Sequence, residues 1–130
     1  MYARASLPAE PASASAARRF LRNTLADWHL EEYTDAACLL ASELVTNAVL
    51  HAGSVSDIAV YYQDRVLRVE VADESVQQVR PRSYSAEAGT GRGLLLVQAI
   101  AVDWGHTPAV GGKVVWFELT TESLTRGEQG

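Results

Sequence analysis

The sequence has a single cysteine, Cys38, and no apolar run that approaches the roughly 20 residues of a membrane-spanning helix. One cysteine excludes an internal disulfide and favours a reducing compartment, which we expect to be the cytoplasm. Basic residues are also few, with 11 Lys and Arg against 16 Asp and Glu and a net charge of −5. This balance argues against general nucleic-acid binding, which needs clustered positive charge. It does not argue against a bound nucleotide, which needs only a local pocket.

The composition is otherwise that of one globular domain. The 130 residues are 48% hydrophobic and 21% charged, which is enough for one core without a disulfide or a structural metal. We expect a single domain over residues 1–130, with a core of about 14–120 and with residues 1–13 and 121–130 as arms or disordered ends. The first twenty residues contain no apolar run, so they do not predict a secretory signal.

Hydrophobic periodicity predicts the order helix, helix, hairpin, loop, helix, hairpin. The first half of the chain is predicted to contain an edge strand around Arg4–Leu7, a helix that starts at a cap on Ser13 or Ser15, and a helix from a cap on Thr34 to about His51. The strands Ile58–Tyr62 and Val66–Ala72 follow, joined by a turn at Gln63–Arg65, and then a loop at Glu74–Ala88. The last predicted elements are a helix Leu94–Val102, strands Asp103–His106 and Val114–Leu119 joined by a turn at Gly111–Gly112, and a disordered tail Thr121–Gly130. Because strands do not alternate with helices, this order predicts a two-layer α/β (α+β) sandwich. Its sheet is mixed but mainly antiparallel, with helices on one face.

A line of polar residues runs along the second predicted helix. Glu43, Asn47 and His51 recur every four residues, so they share one helix face. Apolar residues surround this line almost all the way round, which is typical of a buried helix. A buried carboxylate is costly unless it is paired or faces a wet or ligand-filled cleft. The line therefore indicates either a solvent-facing polar edge or a set of side chains that face a ligand.

Asp73 continues the core face of a predicted strand. Leu67, Val69 and Val71 alternate along this strand, and side-chain parity places Asp73 on the same face where the strand ends. Its carboxylate either caps the following loop or accepts hydrogen bonds from a ligand, such as the exocyclic amine of adenine.

A glycine-rich run, Gly89–Gly93, leads directly into the apolar residues Leu94–Val97. Glycine allows close approach of a ligand, and a helix N-terminus presents free N–H groups to phosphate. The run is not a Walker A loop, since no Lys-Ser/Thr pair follows it, and not a Rossmann loop, since no strand leads tightly into it. It indicates either a phosphate-binding turn or a flexible hinge before a helix.

Taken together, these segments resemble the GHKL (Bergerat-fold) ATPase superfamily. ASELVTNAVLHAG (Ala41–Gly53), VEVADES (Val69–Ser75) and GTGRGLLLV (Gly89–Val97) are similar, in order and separation, to its N, G1 and G2 boxes. The ending DWGHTPAVGGKVVWFEL (Asp103–Leu119) resembles that of the anti-sigma factor serine/threonine kinases and their short actinobacterial relatives. The resemblance covers about residues 14–120 and implies the histidine kinase-like ATPase fold.

The resemblance also implies a role for each matched residue. Glu43 would be the catalytic general base, Asn47 would coordinate the magnesium ion that bridges the phosphates, and Asp73 would accept from the adenine amine. Glu74–Ala88 would be the ATP lid, and His51 receives no chemical role. The implied nucleotide-binding set also includes Ser75, Gly89, Thr90, Gly91, Arg92, Gly93 and Leu94.

Two features of the boxes depart from the commonest family pattern. Ser75 lies where the G1 box often has glycine. The short actinobacterial relatives often have serine at this position as well. The predicted lid has no lysine, so positive charge at the terminal phosphate would come from Arg80, Arg82 or Arg92. Arg92 is the best placed, because it lies inside the glycine run, and surface solvation is its alternative role.

The resemblance implies an ATP- and Mg²⁺-dependent protein serine/threonine kinase that phosphorylates an anti-sigma factor antagonist and binds a sigma factor. Two alternatives remain: a binding module that uses ATP as a conformational ligand, and a scaffold with a vestigial pocket. The expected partners are proteins, and a second copy of the chain is a further candidate. We expect no direct binding to nucleic acid or to a membrane. Contact residues and core residues remain alternative roles for Trp104, Trp116 and either Tyr61 or Tyr62.

Overall fold

The computed structural model describes residues 1–7, 12–49, 57–73, 99–109 and 111–129, with side chains described as far as residue 125. In these residues the elements follow one another as β1 (Tyr2–Ser6), α1 (Ser13–Asp27), a 3₁₀ turn (Glu31–Tyr33), α2 (Thr34–Asn47), β2 (Asp57–Gln63), β3 (Val66–Asp73), β4 (Asp103–Ala109), β5 (Gly112–Leu119) and α3 (Thr121–Gln129). Within these ranges, no helix combines the length and the apolar character needed to cross a bilayer.

The strands form one sheet in the order β1-β2-β3-β5-β4. Each of the four pairings between the described strands is antiparallel. Among the described strands β3 is therefore central, and β1 and β4 lie at the edges. Pro108 lies in β4, where a missing backbone N–H is tolerated because an edge strand leaves one side unpaired. The predicted α+β class with a mainly antiparallel sheet is confirmed.

The two faces of the sheet differ in burial. Along β3 and β5, buried and half-buried residues alternate without a break. The buried positions form one core with the two helices, and this core includes Leu67, Val69, Val71, Phe117 and Leu119 from the strands and Leu21, Leu25, Leu40 and Leu44 from α1 and α2. The helices thus cover one face, and the half-buried positions of β3 and β5 lie on the other, outer face.

The four aromatic residues singled out in the sequence divide between these faces. Tyr62 and Trp104 are partly buried and pack against the core, and Tyr62 meets Tyr33 edge-on at 6.1 Å. Tyr61 and Trp116 lie on the outer face, where the Trp116 ring stacks 4.0 Å from the Arg68 guanidinium. Core packing is therefore the role of the first pair only.

Two strand connections show the turn chemistry that their residues require. In the β2–β3 hairpin, Asp64 and Arg65 have φ of 54° and 65°, and Gln63 pairs with Val66 across the turn. Positive φ at both central residues defines the type I′ turn, whose twist matches that of the strands. Gly111, between β4 and β5, has φ of 77°, a conformation that glycine adopts without strain. Both predicted turns are confirmed.

The predicted helix caps are wrong. α1 begins after Ala12, whose backbone is already helical, and Ser13 is fully buried inside the first turn. Thr34 is the first residue of α2, and neither helix has a side-chain cap at its start. The reason at α2 is the preceding 3₁₀ turn, because the Thr34 N–H bonds to the carbonyl of Glu31 and so uses a backbone acceptor in place of a side chain.

The predicted disorder of Thr121–Gly130 is also wrong, since α3 occupies Thr121–Gln129. The Thr120 N–H donates to Ser123 Oγ at 2.9 Å, and the Ser123 N–H donates to Thr120 Oγ1 at 3.1 Å. This reciprocal pair is a capping box with serine in the last place. Ser123 is buried and Leu124 packs against the core, so the box and one apolar contact hold the helix on the domain.

Smaller differences concern element ends. Residues 99 and 100 are helical, but the helix predicted as far as Val102 stops before it. The Val102 N–H instead donates to the carbonyl of Glu118 at 2.8 Å, which joins this residue to the sheet. β4 also runs to Ala109, beyond the predicted end at His106, and β1 starts at Tyr2.

Thr120→Ala is expected to destabilise the protein by about 1 kcal/mol, because it removes one acceptor of the capping box. Urea unfolding followed by circular dichroism measures this change. The matched control is Thr125→Ala at an exposed position of α3, which we expect to stay within about 0.5 kcal/mol of the parent. Equal effects of the two variants would contradict the role given to the box.

Cys38 lies in the interface of α1 and α2. Its thiol donates to the carbonyl of Arg18 at 3.6 Å, and the Arg18 guanidinium donates to Ser42 Oγ at 3.0 Å. Burial raises the pKa of the Cys38 thiol, which disfavours the reactive thiolate. Cys38 therefore acts as a small core residue.

Candidate functional site

α2 carries the first two residues of the candidate site. Glu43 and Asn47 lie one turn apart and on one face, as their spacing predicts. Leu40, Leu44 and Val45 beside them are 0–3% exposed, so the helix is buried as expected. Asn47 is itself only 2% exposed, whereas Glu43 is half-buried. The polar line thus runs from a partly accessible carboxylate to a buried amide.

The buried amide of Asn47 has unsatisfied polar atoms. Neither Nδ2 nor Oδ1 has a hydrogen-bond partner among the described residues. Buried side-chain polar atoms are nearly always paired, and an unpaired one costs about 1–3 kcal/mol. An arrangement that tolerates this cost is typical of a binding site, and it argues against the alternative of a solvent-facing polar edge.

The chemistry of this amide fits a magnesium ion. Mg²⁺ prefers oxygen ligands, keeps several waters and usually takes one or two ligands from the protein. The described part of the chain holds no group of three or more His, Cys, Asp or Glu side chains that would form a complete metal cage. A single amide oxygen is nevertheless enough for an ion that is also held by phosphates. Asn47 therefore fits the role of a lone protein ligand.

β3 supplies the third residue, Asp73. Its side chain is 2% exposed and lies on the core face with Leu67, Val69 and Val71. The parity argument from the sequence is therefore confirmed, because the strand keeps its alternation to its last residue. The carboxylate is therefore buried at the end of β3, on the core face of the sheet.

The structure adds a residue that the sequence interpretation missed. Lys113 is directly opposite Asp73 in the β3–β5 pairing, and its Nζ lies 2.9 Å from Asp73 Oδ2. The Lys113 side chain is only 10% exposed, so this is a buried ion pair. The alternation of Val115, Phe117 and Leu119, extended backwards by two residues, was the available signal that Lys113 shares the core face.

The site residues lie on elements that contact each other. α2 packs against β3 in the core. Asp73 ends β3, Lys113 stands at the start of β5, and Asp57 at the start of β2 pairs with Ala72. The carboxylate and the ammonium therefore lie at one end of the sheet, on the face that α2 covers.

The remaining predicted site residues fall outside the described residues. They are the lid Glu74–Ala88 with Ser75, Arg80 and Arg82, the helix-end residue His51, and the glycine-run residues Gly89, Thr90, Gly91, Arg92, Gly93 and Leu94. Their roles therefore stay predictions. The described part of the site consists of Glu43, Asn47, Asp73 and Lys113.

Comparison with known families agrees with this geometry. The family described as the histidine kinase-like ATPase domain matches residues 7–119. This span includes every strand after β1 and every residue assigned to the site. A search among curated proteins finds no match. Because the matched span is nearly the whole chain, the protein belongs to the histidine kinase-like ATPase family, and it is an ATP-binding domain of the GHKL type.

Proposed function

We propose that the protein is an ATP-dependent protein serine/threonine kinase of the anti-sigma factor type. In this role it phosphorylates an antagonist protein, binds a sigma factor and acts in the cytoplasm. The observation that carries the proposal is the pairing on α2 of an accessible carboxylate, Glu43, with a buried and unpartnered amide, Asn47. In an ATP-binding family, this pairing supports the proposal of a general base at Glu43, one turn from a magnesium ligand at Asn47.

Each residue would have a separate task in the reaction. Asp73 accepts a hydrogen bond from the adenine amine and so orients the nucleotide. Asn47 would hold Mg²⁺, and the bound ion would supply positive charge that neutralises the phosphates. Glu43 takes the proton from the serine or threonine hydroxyl of the substrate. The hydroxyl oxygen forms a bond to the γ-phosphorus, the bond to the β–γ bridging oxygen breaks, and ADP leaves.

A phosphotransfer assay tests the proposal. The protein is incubated with γ-labelled ATP, Mg²⁺ and a candidate antagonist, alongside the same antagonist with its acceptor serine or threonine changed to alanine. We expect acid-stable label on the first antagonist and none on the second. Clean Mg·ATP binding without transfer to any antagonist would contradict the kinase assignment.

One observation favours a second function, a binding module that ATP switches without phosphoryl transfer. The described residues offer no hydrogen-bond or ion-pair partner to orient the Glu43 carboxylate, whereas general bases are usually held by a further group. In this case Glu43→Ala would retain nucleotide-dependent binding of a partner protein, and Asp73→Ala, assayed where circular dichroism shows that it is folded, would lose it. A pull-down with and without ATP distinguishes the two functions.

Asn47→Ala is expected to abolish the gain in ATP affinity that Mg²⁺ provides. The amide oxygen is the proposed protein ligand of the ion, so affinity measured with Mg²⁺ should fall to the level measured with EDTA. Isothermal calorimetry under both conditions measures this difference. The neighbouring variant Thr46→Ala serves as the control and should keep the Mg²⁺ dependence of the parent. An Asn47→Ala protein that keeps it as well would exclude this residue as the ligand.

A further inference from the structure

The ion pair of Asp73 and Lys113 has a chemistry that the proposed function does not use. The ammonium lies 2.9 Å from the carboxylate that is assigned to the adenine amine, and both side chains are buried. The two residues are Cα partners on neighbouring strands, so the strand register holds their side chains side by side. Any base that reaches Asp73 therefore also meets the Lys113 ammonium.

Stability alone does not account for such a pair. Removing two charges from water is costly, and a pair of well-packed apolar side chains in the same place is often as stable or more stable. A buried donor beside a buried acceptor is, by contrast, a specific pattern for hydrogen bonding. A carboxylate only accepts hydrogen bonds, and an ammonium only donates them.

The same pattern, in reverse, forms one edge of adenine. The 6-amino group donates, and the adjacent ring nitrogen N1 accepts. A carboxylate at the amino group and an ammonium at N1 would therefore satisfy both positions. An ammonium has three N–H bonds, so donation to N1 is compatible with the bond that Lys113 makes to Asp73.

We propose that Lys113 is a second adenine-binding residue, whose ammonium donates to N1 while Asp73 accepts from the 6-amino group. This inference rests on the proposed role of Asp73. It assigns base selectivity to the pair: guanine has a carbonyl oxygen at position 6 and an N–H at position 1. Guanine bound in the same orientation would direct its oxygen at the carboxylate and its N–H at the ammonium. The pair therefore selects ATP over GTP.

Nucleotide analogues test each contact separately. In 1-deaza-ATP a C–H replaces N1 and the amino group stays, whereas purine riboside triphosphate keeps N1 and lacks the amino group. For the unchanged protein with Mg²⁺, we expect 1-deaza-ATP to bind about 10- to 100-fold more weakly than ATP, since the buried ammonium loses its hydrogen bond to N1 and meets a C–H in its place. We expect a similar loss for purine riboside triphosphate and for GTP. Calorimetry or competition with a fluorescent ATP analogue measures all four.

The variant Lys113→Met connects the N1 contact to this side chain. It should bind ATP about 10- to 100-fold more weakly than the parent, and it should no longer distinguish ATP from 1-deaza-ATP. Lys113→Arg keeps a cationic donor and should keep part of that discrimination. If Lys113→Met does not fold, 1-deaza-ATP on the unchanged protein still tests the N1 contact, and a changed discrimination in Lys113→Arg still assigns that contact to this side chain.

The outcomes separate this inference from the proposed function. Equal binding of ATP and 1-deaza-ATP by the unchanged protein would overturn the N1 contact and leave the kinase proposal intact. A Lys113→Met protein that still discriminates against 1-deaza-ATP would assign Lys113 a structural role only, and GTP binding as tight as ATP binding would overturn the selectivity. Failure of the unchanged protein to bind Mg·ATP at millimolar concentration would overturn the proposed function and the inference with it.

Discussion

Glu43→Gln is expected to lower the rate of phosphoryl transfer by roughly 10²- to 10⁴-fold while the affinity for Mg·ATP stays close to that of the parent. Glutamine has nearly the same shape as glutamate, but its amide cannot take up the proton of the attacking hydroxyl. Glu43 is half-buried, and no described residue forms an ion pair with its carboxylate. The loss of its charge therefore does not leave a buried cation without a counter-ion. The expected result is therefore a fall in kcat with little change in nucleotide binding.

A matched control separates this effect from a general loss of negative charge. Glu32 is an exposed glutamate in the 3₁₀ turn before α2, and Glu32→Gln should leave the rate unchanged. Single-turnover transfer to the antagonist gives the rate, and calorimetry gives the affinity. A Glu43→Gln protein that transfers phosphate at the parental rate, or one that loses rate only through weaker ATP binding, would exclude Glu43 as the base.

Asp73→Ala is expected to destabilise the folded protein by about 3–5 kcal/mol. The substitution leaves the ammonium of Lys113, whose side chain is 10% exposed, without the carboxylate that lies 2.9 Å away. Removing one partner of a buried pair exposes the full desolvation cost of the other. Urea unfolding without nucleotide measures the loss.

The double variant Asp73→Ala/Lys113→Met distinguishes this electrostatic cost from loss of packing. Because it removes both charges, it should recover much of the stability that Asp73→Ala loses. It should not recover ATP binding, since both proposed contacts to adenine are gone. A double variant as unstable as Asp73→Ala alone would show that the cost lies in packing rather than in the ammonium's loss of the Asp73 carboxylate.

Local patterns in the sequence were enough to predict the best-defined parts of the fold. The alternation of Leu67, Val69 and Val71 places Asp73 on the core face, because a strand has a period of two residues. The four-residue spacing of Glu43 and Asn47 places them on one face of α2 for the analogous reason. Both arguments need only the geometry of one element, and both are confirmed.

The features that were missed depend on contacts between elements. Lys113 follows two glycines and resembles part of a turn, and only the β3–β5 register shows that it meets Asp73. Thr34 resembles a helix cap, but the 3₁₀ turn before it supplies backbone acceptors in its place. The tail is polar, so its helix is visible only through the spacing of Thr120 and Ser123 and the contact of Leu124 with the core.

The same ion pair also constrains which alignments of the two strands are acceptable. A shift of β5 by one residue relative to β3 would turn Lys113 to the outer face and leave the Asp73 carboxylate buried beside an apolar neighbour. Apolar core residues such as Val115 and Phe117 could replace one another along the core face at a smaller cost in free energy. The charged pair thus discriminates against misaligned sheets during folding, and the strand pairing at the centre of the molecule is set by the same two residues that are proposed to select the nucleotide.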